Sequence, residues 1–351
     1  MDSLIVGHRC LFRFTLISVF ILFLIPSCYK TSSSSEIIAE KIKEINEYLP
    51  GYYVVKVTDI IELDGEIFIL DGGLSQLIRS DHFLEEIKIY GKRGYESSEM
   101  MSPEILVHDE KSDLLYIYDR DKRNLMSFDT EREVFESEIS LGIVLYNRPI
   151  IKNSILLFTN LLTDSTNFIN RYDLNKKEHL PKKKLPNDYI RSYFGYNIIE
   201  SNNKFTTING YGAPFIDTFN EGWELTNSVS LANYPLIARG LAIESNKFVV
   251  KNLEGVPSGV KAIISERAEV KCVKMYNDIL YLLVLTRDGA STELKSNSIM
   301  KFKNHDGDWQ SHGVISLPEY GYYQTFAIFE NGEKLLTFEK NNGVIELFNI
   351  D

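Results

Sequence analysis

The residues of this chain that could do chemistry are few and scattered. Beyond the first 28 positions the histidines are His82, His108, His179, His305 and His312. None stands in the HExxH spacing that puts two imidazoles on one helix face for zinc. No GxSxG elbow and no phosphate-cradling glycine loop occurs. Cys272 has no sequence support as a thiolate nucleophile and reads as a small buried hydrophobe. Asn304-His305-Asp306-Gly307-Asp308 gathers oxygen ligands of the kind Ca²⁺ takes. Its glycine is fourth rather than sixth, and no glutamate follows at calcium-loop spacing, so a polar hairpin turn is expected. Asp119-Arg120-Asp121 is read in the same way, as a turn with a local ion pair.

The more suggestive set is His108, Glu200, Glu244 and Glu330. Each closes an apolar run: 104–108, 196–200, 241–244 and 325–329. If these runs are strands around one axis, their ends ring one mouth of a channel. Such a ring could bind a ligand, or hold Ca²⁺ or Zn²⁺ for hydrolysis. Polar strand ends without a further role explain it equally well, so no catalytic residue and no resident cofactor is assigned.

What would position such a ring is a repeat. Ile67-Phe68-Ile69-Leu70-Asp71 recurs as Leu115-Tyr116-Ile117-Tyr118-Asp119, and Leu77-Ile78-Arg79-Ser80-Asp81 recurs as Leu125-Met126-Ser127-Phe128-Asp129, both 48 residues on. A second pair is independent: Ile199-Glu200-Ser201-Asn202 and Ile243-Glu244-Ser245-Asn246, 44 residues apart. Asp64-Gly65 and Asn331-Gly332 are hairpin signals, because a type I′ turn needs positive φ at both central positions. Strand-long alternation places Ile67 and Ile69 on one face and Phe68 and Leu70 on the other. A unit of about 45 residues with four short strands is a propeller blade. The fold class expected is therefore all-β, a β-propeller of four-stranded antiparallel blades. Seven units can be traced, with second strands starting near Ile67, Leu114, Ser154, Lys204, Lys247, Ile279 and Lys334. One step, between the fifth and sixth, is short, and six blades is the alternative. The last unit lacks an outer strand, which 52–55 could supply to close the ring.

The N-terminus is of another kind. Arg9 and Arg13 precede 12 uncharged, mostly apolar residues, 14–25, too few to span a bilayer but suited to an export leader. Ile25-Pro26-Ser27-Cys28 follows. It resembles a bacterial lipobox, which implies a signal peptide over 1–27, lipid attachment at Cys28 and a membrane tether. Residues 28–50 then form a tether and a short helix, since Ile38, Ile42, Ile45 and Leu49 fall at helical spacing. The single propeller domain occupies 51–351.

With 20 Tyr, 20 Phe and 44% hydrophobic residues the chain can build a large β core. A net charge of −11 argues against nucleic acid as a partner. The basic run Lys182-Lys183-Lys184 reads as a solvated outer strand or loop.

Gly91-Lys92-Arg93-Gly94-Tyr95-Glu96, Pro103-Glu104-Ile105-Leu106 and the strands ending in Asp119 and Asp129 together resemble the NHL-type repeat. With the leader, the chain resembles the TolB-like or NHL-like six-bladed β-propeller lipoproteins of Bacteroidetes. The likeness is closest over the first two units. It implies an exported protein, anchored by lipid to the outer membrane and facing the periplasm in preference to the cell surface, with no shared catalytic motif. The expected function is a non-enzymatic binding or scaffold propeller of the cell envelope. A metal-dependent, lactonase-like hydrolase acting at the axial mouth is one alternative, and a glycan or peptide sensor is another.

Overall fold

A computed structural model describes residues 35–45, 48–49, 52–159, 168–185, 196–209, 214–237, 250–251, 262–263, 268–287, 294–318 and 321–351. Residues 1–34, including Cys28, lie outside them. Among the described residues no helix is long and apolar enough to cross a membrane.

The described strands form six four-stranded antiparallel blades. Blade 1 runs through Val57–Leu63, Glu66–Asp71, Gln76–Ser80 and Ile87–Tyr90. Blade 2 uses Pro103–Asp109, Leu114–Asp119, Asn124–Asp129 and Val134–Ser140. Blade 3 uses Ile150–Lys152, Ile155–Phe158, Phe168–Asp173 and Glu178–Lys184. Blade 4 uses Tyr196–Ser201, Lys204–Asn209, Phe215–Phe219 and Leu225–Ser230. Blade 5 uses Ala268–Tyr276, Ile279–Arg287, Leu294–His305 and Asp308–Ser316. Blade 6 takes Tyr323–Phe329, Lys334–Glu339 and Val344–Asn349 from the C-terminus and Glu40–Ile45 from the N-terminal side. First strands of neighbouring blades touch from blade 5 through blades 6, 1, 2 and 3 to blade 4, and these are the axial strands.

Period-two patterning does the packing. Ile67 and Ile69 enter a core shared with Leu336 and Phe338 of blade 6. Phe68 and Leu70, on the same strand, enter a core shared with Leu115 and Ile117 of blade 2. Each sheet thus buries both faces, at roughly 25 cal/mol per Å² of apolar surface. The Asp64-Gly65 turn has φ of 51° and 84°, the positive values its hairpin requires.

Carboxylates ending the second strands anchor the chain that enters their own blade. Asp71 accepts the backbone N–H groups of Val55 (2.9 Å), Lys56 (3.1 Å) and Gly73 (2.8 Å). Asp119 accepts those of Met101, Ser102 (3.2 Å) and Lys122 (3.1 Å). Glu339 does the same for Tyr322 (2.8 Å), Asn341 and Asn342 in blade 6. In each case one carboxylate caps its own turn and holds the chain entering an axial strand.

Two expectations are corrected. Among the described residues the blades number six rather than seven. Ile199, Ile208 and Ile216 of blade 4 share one core with Val273, Leu282 and Trp309 of blade 5. Trp309 Nε1 donates to Thr206 Oγ1 (3.3 Å), and Ser201 Oγ donates to Asp278 Oδ1 (3.0 Å). These contacts leave no room for a blade between them. The supposed fifth unit contributes only a two-residue pairing, Val250–Lys251 with Ala262–Ile263, among the described residues. Its repeat, 243–248, lies outside them.

The second correction concerns the expected helix over 36–49. Glu36–Ile38 adds a parallel fifth strand to the edge of blade 5, and Glu40–Ile45 pairs antiparallel with Val344–Asn349. Helical spacing lost to ring closure. A helix would have left the Val344–Asn349 edge unpaired, whereas a strand satisfies its backbone groups. The isoleucines at helical spacing do not share a buried face, Ile38 being 81% exposed and Ile42 46%. The closing strand is this one and not 52–55, whose Tyr52 pairs locally with Leu49.

Candidate functional site

The axial strands of blades 1, 2, 4, 5 and 6 bring their first residues together at one end of the axis, and those of blades 1 to 5 bring their last residues together at the other. Between the ends the axis is blocked by charge. Asp59, on the axial strand of blade 1, is 2% exposed. Its carboxylate accepts Lys274 Nζ of blade 5 (2.7 Å), the Leu106 N–H of blade 2 (2.9 Å), Thr325 Oγ1 of blade 6 (3.3 Å) and the Arg148 guanidinium from the approach to blade 3. Blade 4 joins through Asn197, whose Oδ1 accepts the Arg148 N–H (3.1 Å). Arg148 also donates to Leu106 O (2.9 Å), and Lys274 to Ile60 O. Blades 2, 5 and 6 and the segment entering blade 3 therefore converge on one buried carboxylate, with blade 4 joined through Arg148.

Burial alone would raise the Asp59 carboxyl, but Arg148 and Lys274 overcome it and hold the group below the usual carboxylate range. Lys274 is pushed down, first by burial and then by Arg148, with Asp59 opposing. One anion between two cations leaves the plug with a formal excess of one positive charge.

A cavity opens on each side. The smaller, about 170 Å³, lies at the strand starts against Thr58, Glu104, Tyr146, Asn197, Glu269 and Gln324. Burial raises the Glu104 carboxyl there, against the pull of Arg120 at 2.7 Å. The larger, about 720 Å³, lies at the strand ends, with Arg148 and Lys274 facing it. A volume of this size lies within the roughly 300–1,000 Å³ of small-molecule sites.

The expected ring is formed in part. His108 and Glu200 both line the larger cavity. His108 Nε2 lies 3.0 Å from Asp113 Oδ1, and Glu200 is paired with Lys152 Nζ. Glu330 does not line it: it sits in the turn after the blade 6 axial strand, 3.5 Å from His82 Nδ1. Glu244 lies outside the described residues. Among the described residues, no three His, Cys, Asp or Glu side chains gather as a metal site. The 304–308 segment is a hairpin turn, with Gly307 N donating to Asn304 Oδ1 (2.6 Å). Asp119 serves the backbone as described above, and Lys182–Lys184 lies exposed on the outer strand of blade 3. Cys272 is buried, its sulfur 3.7 Å from Thr325 Oγ1.

Sequence reasoning missed Asp59, Arg148 and Lys274. The signal was present: a charged residue inside an apolar axial strand, Val57-Thr58-Asp59-Ile60-Ile61 and Val273-Lys274-Met275. A buried charge needs a partner, but those partners lie 89 and 215 residues away in sequence.

No protein-family model matches the chain, and no curated protein matches it. Solved structures do. Hydrazine synthase of Kuenenia stuttgartiensis is similar at 12% identity and a TM-score of 0.52, over 87% of this chain and 80% of that one. The crystal structure of RRP9 WD40 repeats is similar at 10% identity and a TM-score of 0.54, over 90% and 100%. A streptogramin B lyase is similar at 14% identity and a TM-score of 0.50, over 89% and 98%. At such identities the likeness is one of fold, and these neighbours include an enzyme as well as WD40 repeats. The chain is a β-propeller, an architecture consistent with a binding or scaffold role.

Proposed function

We propose that this chain is a binding propeller of the cell envelope, exported, tethered by lipid at Cys28 to the outer membrane on its periplasmic side, and non-enzymatic. Its binding place is the larger axial cavity. The observation that carries this reading is the closure of the axis by Asp59, Arg148 and Lys274. The closure turns a through-channel into a cup of about 720 Å³ with a charged floor and an open mouth. The leader and the Cys28 motif support the tether. A diacyl group holds a protein at a bilayer where one chain does so only reversibly. The fold supports binding without choosing a ligand, since propellers carry many functions.

The test is a thermal-shift screen of chemically diverse small molecules on the full chain, with Val107→Trp as the variant that fills the cavity. Ligands whose stabilisation disappears in Val107→Trp are expected. A screen in which no compound's effect depends on that residue contradicts the reading. For the tether, wild type should incorporate labelled palmitate and Cys28→Ala should not.

A further inference from the structure

Blade 3 carries a basic face on an acidic chain. Its outer strand, Glu178–Lys184, is exposed along nearly its whole length. Lys182, Lys183 and Lys184 stand in a row there, and none of them makes an ion pair with another described residue. Across the ladder Lys183 and Lys184 face Ile169 and Phe168 rather than carboxylates, so no cross-strand partner offsets their mutual repulsion. Edge lysines also discourage unwanted strand pairing, but other outer strands manage without such a run. Leu225–Ser230 carries no charge, and Glu40–Ile45 carries both signs.

The basic strand borders a groove of about 320 Å³ at the seam with blade 4. Lys183 and Arg171 share the face that meets blade 4, because Lys183 pairs with Ile169, two residues before Arg171. Ile155 and Leu157 of blade 3 and Phe205 and Trp223 of blade 4 give the groove its apolar lining. The rings of Phe205 and Trp223 lie 4.4 Å apart and 8° from parallel. Trp223 takes a φ of 65° in the turn that lays it there, a left-handed conformation that a bulky residue adopts only at a cost. Among the described residues, Glu221 is the one carboxylate of the lining, against Lys152, Arg171 and Lys183. Glu200 occupies Lys152, which leaves Arg171 and Lys183 in excess over Glu221. On the flank, Lys176, Lys177, Lys182 and Lys184 outnumber Asp173 and Glu178. This local excess of positive charge stands in a chain of net charge −11.

We propose that this face docks an acidic protein segment that carries one large apolar side chain among its carboxylates. The carboxylates lie along Lys182, Lys183 and Lys184 and reach Arg171, and the apolar side chain enters the groove against Phe205 and Trp223. A row of lysines along a strand matches the charges of an extended chain better than those of a compact anion. An apolar pocket beside a charged rim is the arrangement in which one buried anchor carries most of an interface. The contact is made by side chains rather than by an added strand, because Pro181 has no N–H to offer at that edge. This surface stands apart from the axial cavity, with which the groove shares Lys152 and Asn153 alone.

The experiment is fluorescence anisotropy of a labelled, end-blocked peptide of glutamates around a central phenylalanine, titrated with the full chain. Two comparison peptides replace the glutamates by lysines, or the phenylalanine by glycine. The acidic peptide should bind, and added salt should weaken it. Each comparison peptide should bind at least about tenfold more weakly, because each lacks one of the two matched features. Lys182→Glu, Lys183→Glu and Lys184→Glu made together should weaken the acidic peptide by at least about tenfold while circular dichroism stays that of the wild type. Val107→Trp, in the axial cavity, should bind it like the wild type. The proposal is overturned if the acidic peptide does not bind, if the lysine peptide binds as well, or if the triple variant binds like the wild type. Loss of binding in Val107→Trp overturns it too, by placing the peptide in the axial cavity. A glycine peptide that binds as tightly refutes the apolar anchor. Phosphatidylglycerol vesicles that bind the wild type better than the triple variant, with no peptide binding, overturn it in favour of a lipid surface. Failure of the lysine face leaves the axial cavity as a binding place untouched, since the triple variant alters none of its lining.

Discussion

Replacing Asp59 with asparagine keeps the shape of the axial plug and removes its one negative charge. Two partly buried cations, Arg148 at 18% side-chain exposure and Lys274 at 11%, then face each other with no counter-ion. With the Lys274 amine 2.7 Å from the carboxylate, the forfeited attraction is about 6 kcal/mol at an effective dielectric near 20. Part of it is returned as solvation and as hydrogen bonds that asparagine still accepts. Breaking a buried pair from one side costs about 3–5 kcal/mol, and the effect on stability should fall there. That is a large share of the 5–15 kcal/mol typical of a folded domain, and urea unfolding followed by circular dichroism will resolve it. The reasoning makes a sharper demand on the second site. Lys274→Met alone leaves a neutral Asp59–Arg148 pair and should hold or slightly raise stability. Added to Asp59→Asn, it should recover at least half of the loss, because only Arg148 then remains charged. An Asp59→Asn loss below about 1 kcal/mol, or strict additivity in the double variant, would refute the electrostatic account of the plug.

Other consequences can be checked separately. The Asp59 carboxyl is depressed in the folded chain, so the unfolded chain binds more protons as pH falls. Its stabilisation is complete above the unfolded carboxylate pKa of about 3.9 and is lost as pH drops through the folded value. Wild-type stability should therefore fall more steeply than that of Asp59→Asn below about pH 4, by urea midpoints across pH. Asp119→Ala strands the N–H groups of Met101, Ser102 and Lys122 and should cost about 1–3 kcal/mol, read from the same unfolding curves. Deleting residues 36–45 bares the Val344–Asn349 edge. It should lower the melting temperature and produce concentration-dependent association in size-exclusion chromatography.

The repeat was legible because blade packing demands strict alternation. Ile67 and Ile69 against Phe68 and Leu70 declare two buried faces, and the recurring Asp71 and Asp119 mark a strand end with a fixed backbone task. Blade number was harder to read. Ile243-Glu244-Ser245-Asn246 copies 199–202 closely, yet the bond from Trp309 to Thr206 across blades 4 and 5 is invisible to a local pattern. The closing strand was misread for a related reason. Residues 36–49 carry helical spacing, and only the unpaired edge some 300 residues away makes them strands. His108 and Glu200 reach the same cavity because strand ends in a repeat share a mouth. Glu330 turned away in its own turn, toward His82. The Asp59 plug escaped because its meaning lies in convergence: one carboxylate meets Leu106, Arg148, Lys274 and Thr325, none near it in sequence.

The most direct test of the account is hydrogen–deuterium exchange of the full chain with and without a ligand from the thermal-shift screen. Binding in the cup formed by the axial plug should slow exchange at the ends of the axial strands, in 107–111, 150–153 and 198–200, which line the larger cavity. Protection confined instead to the strand starts, at 104–105 and 269–272 around the smaller cavity, would place the ligand on the wrong side of Asp59 and contradict it.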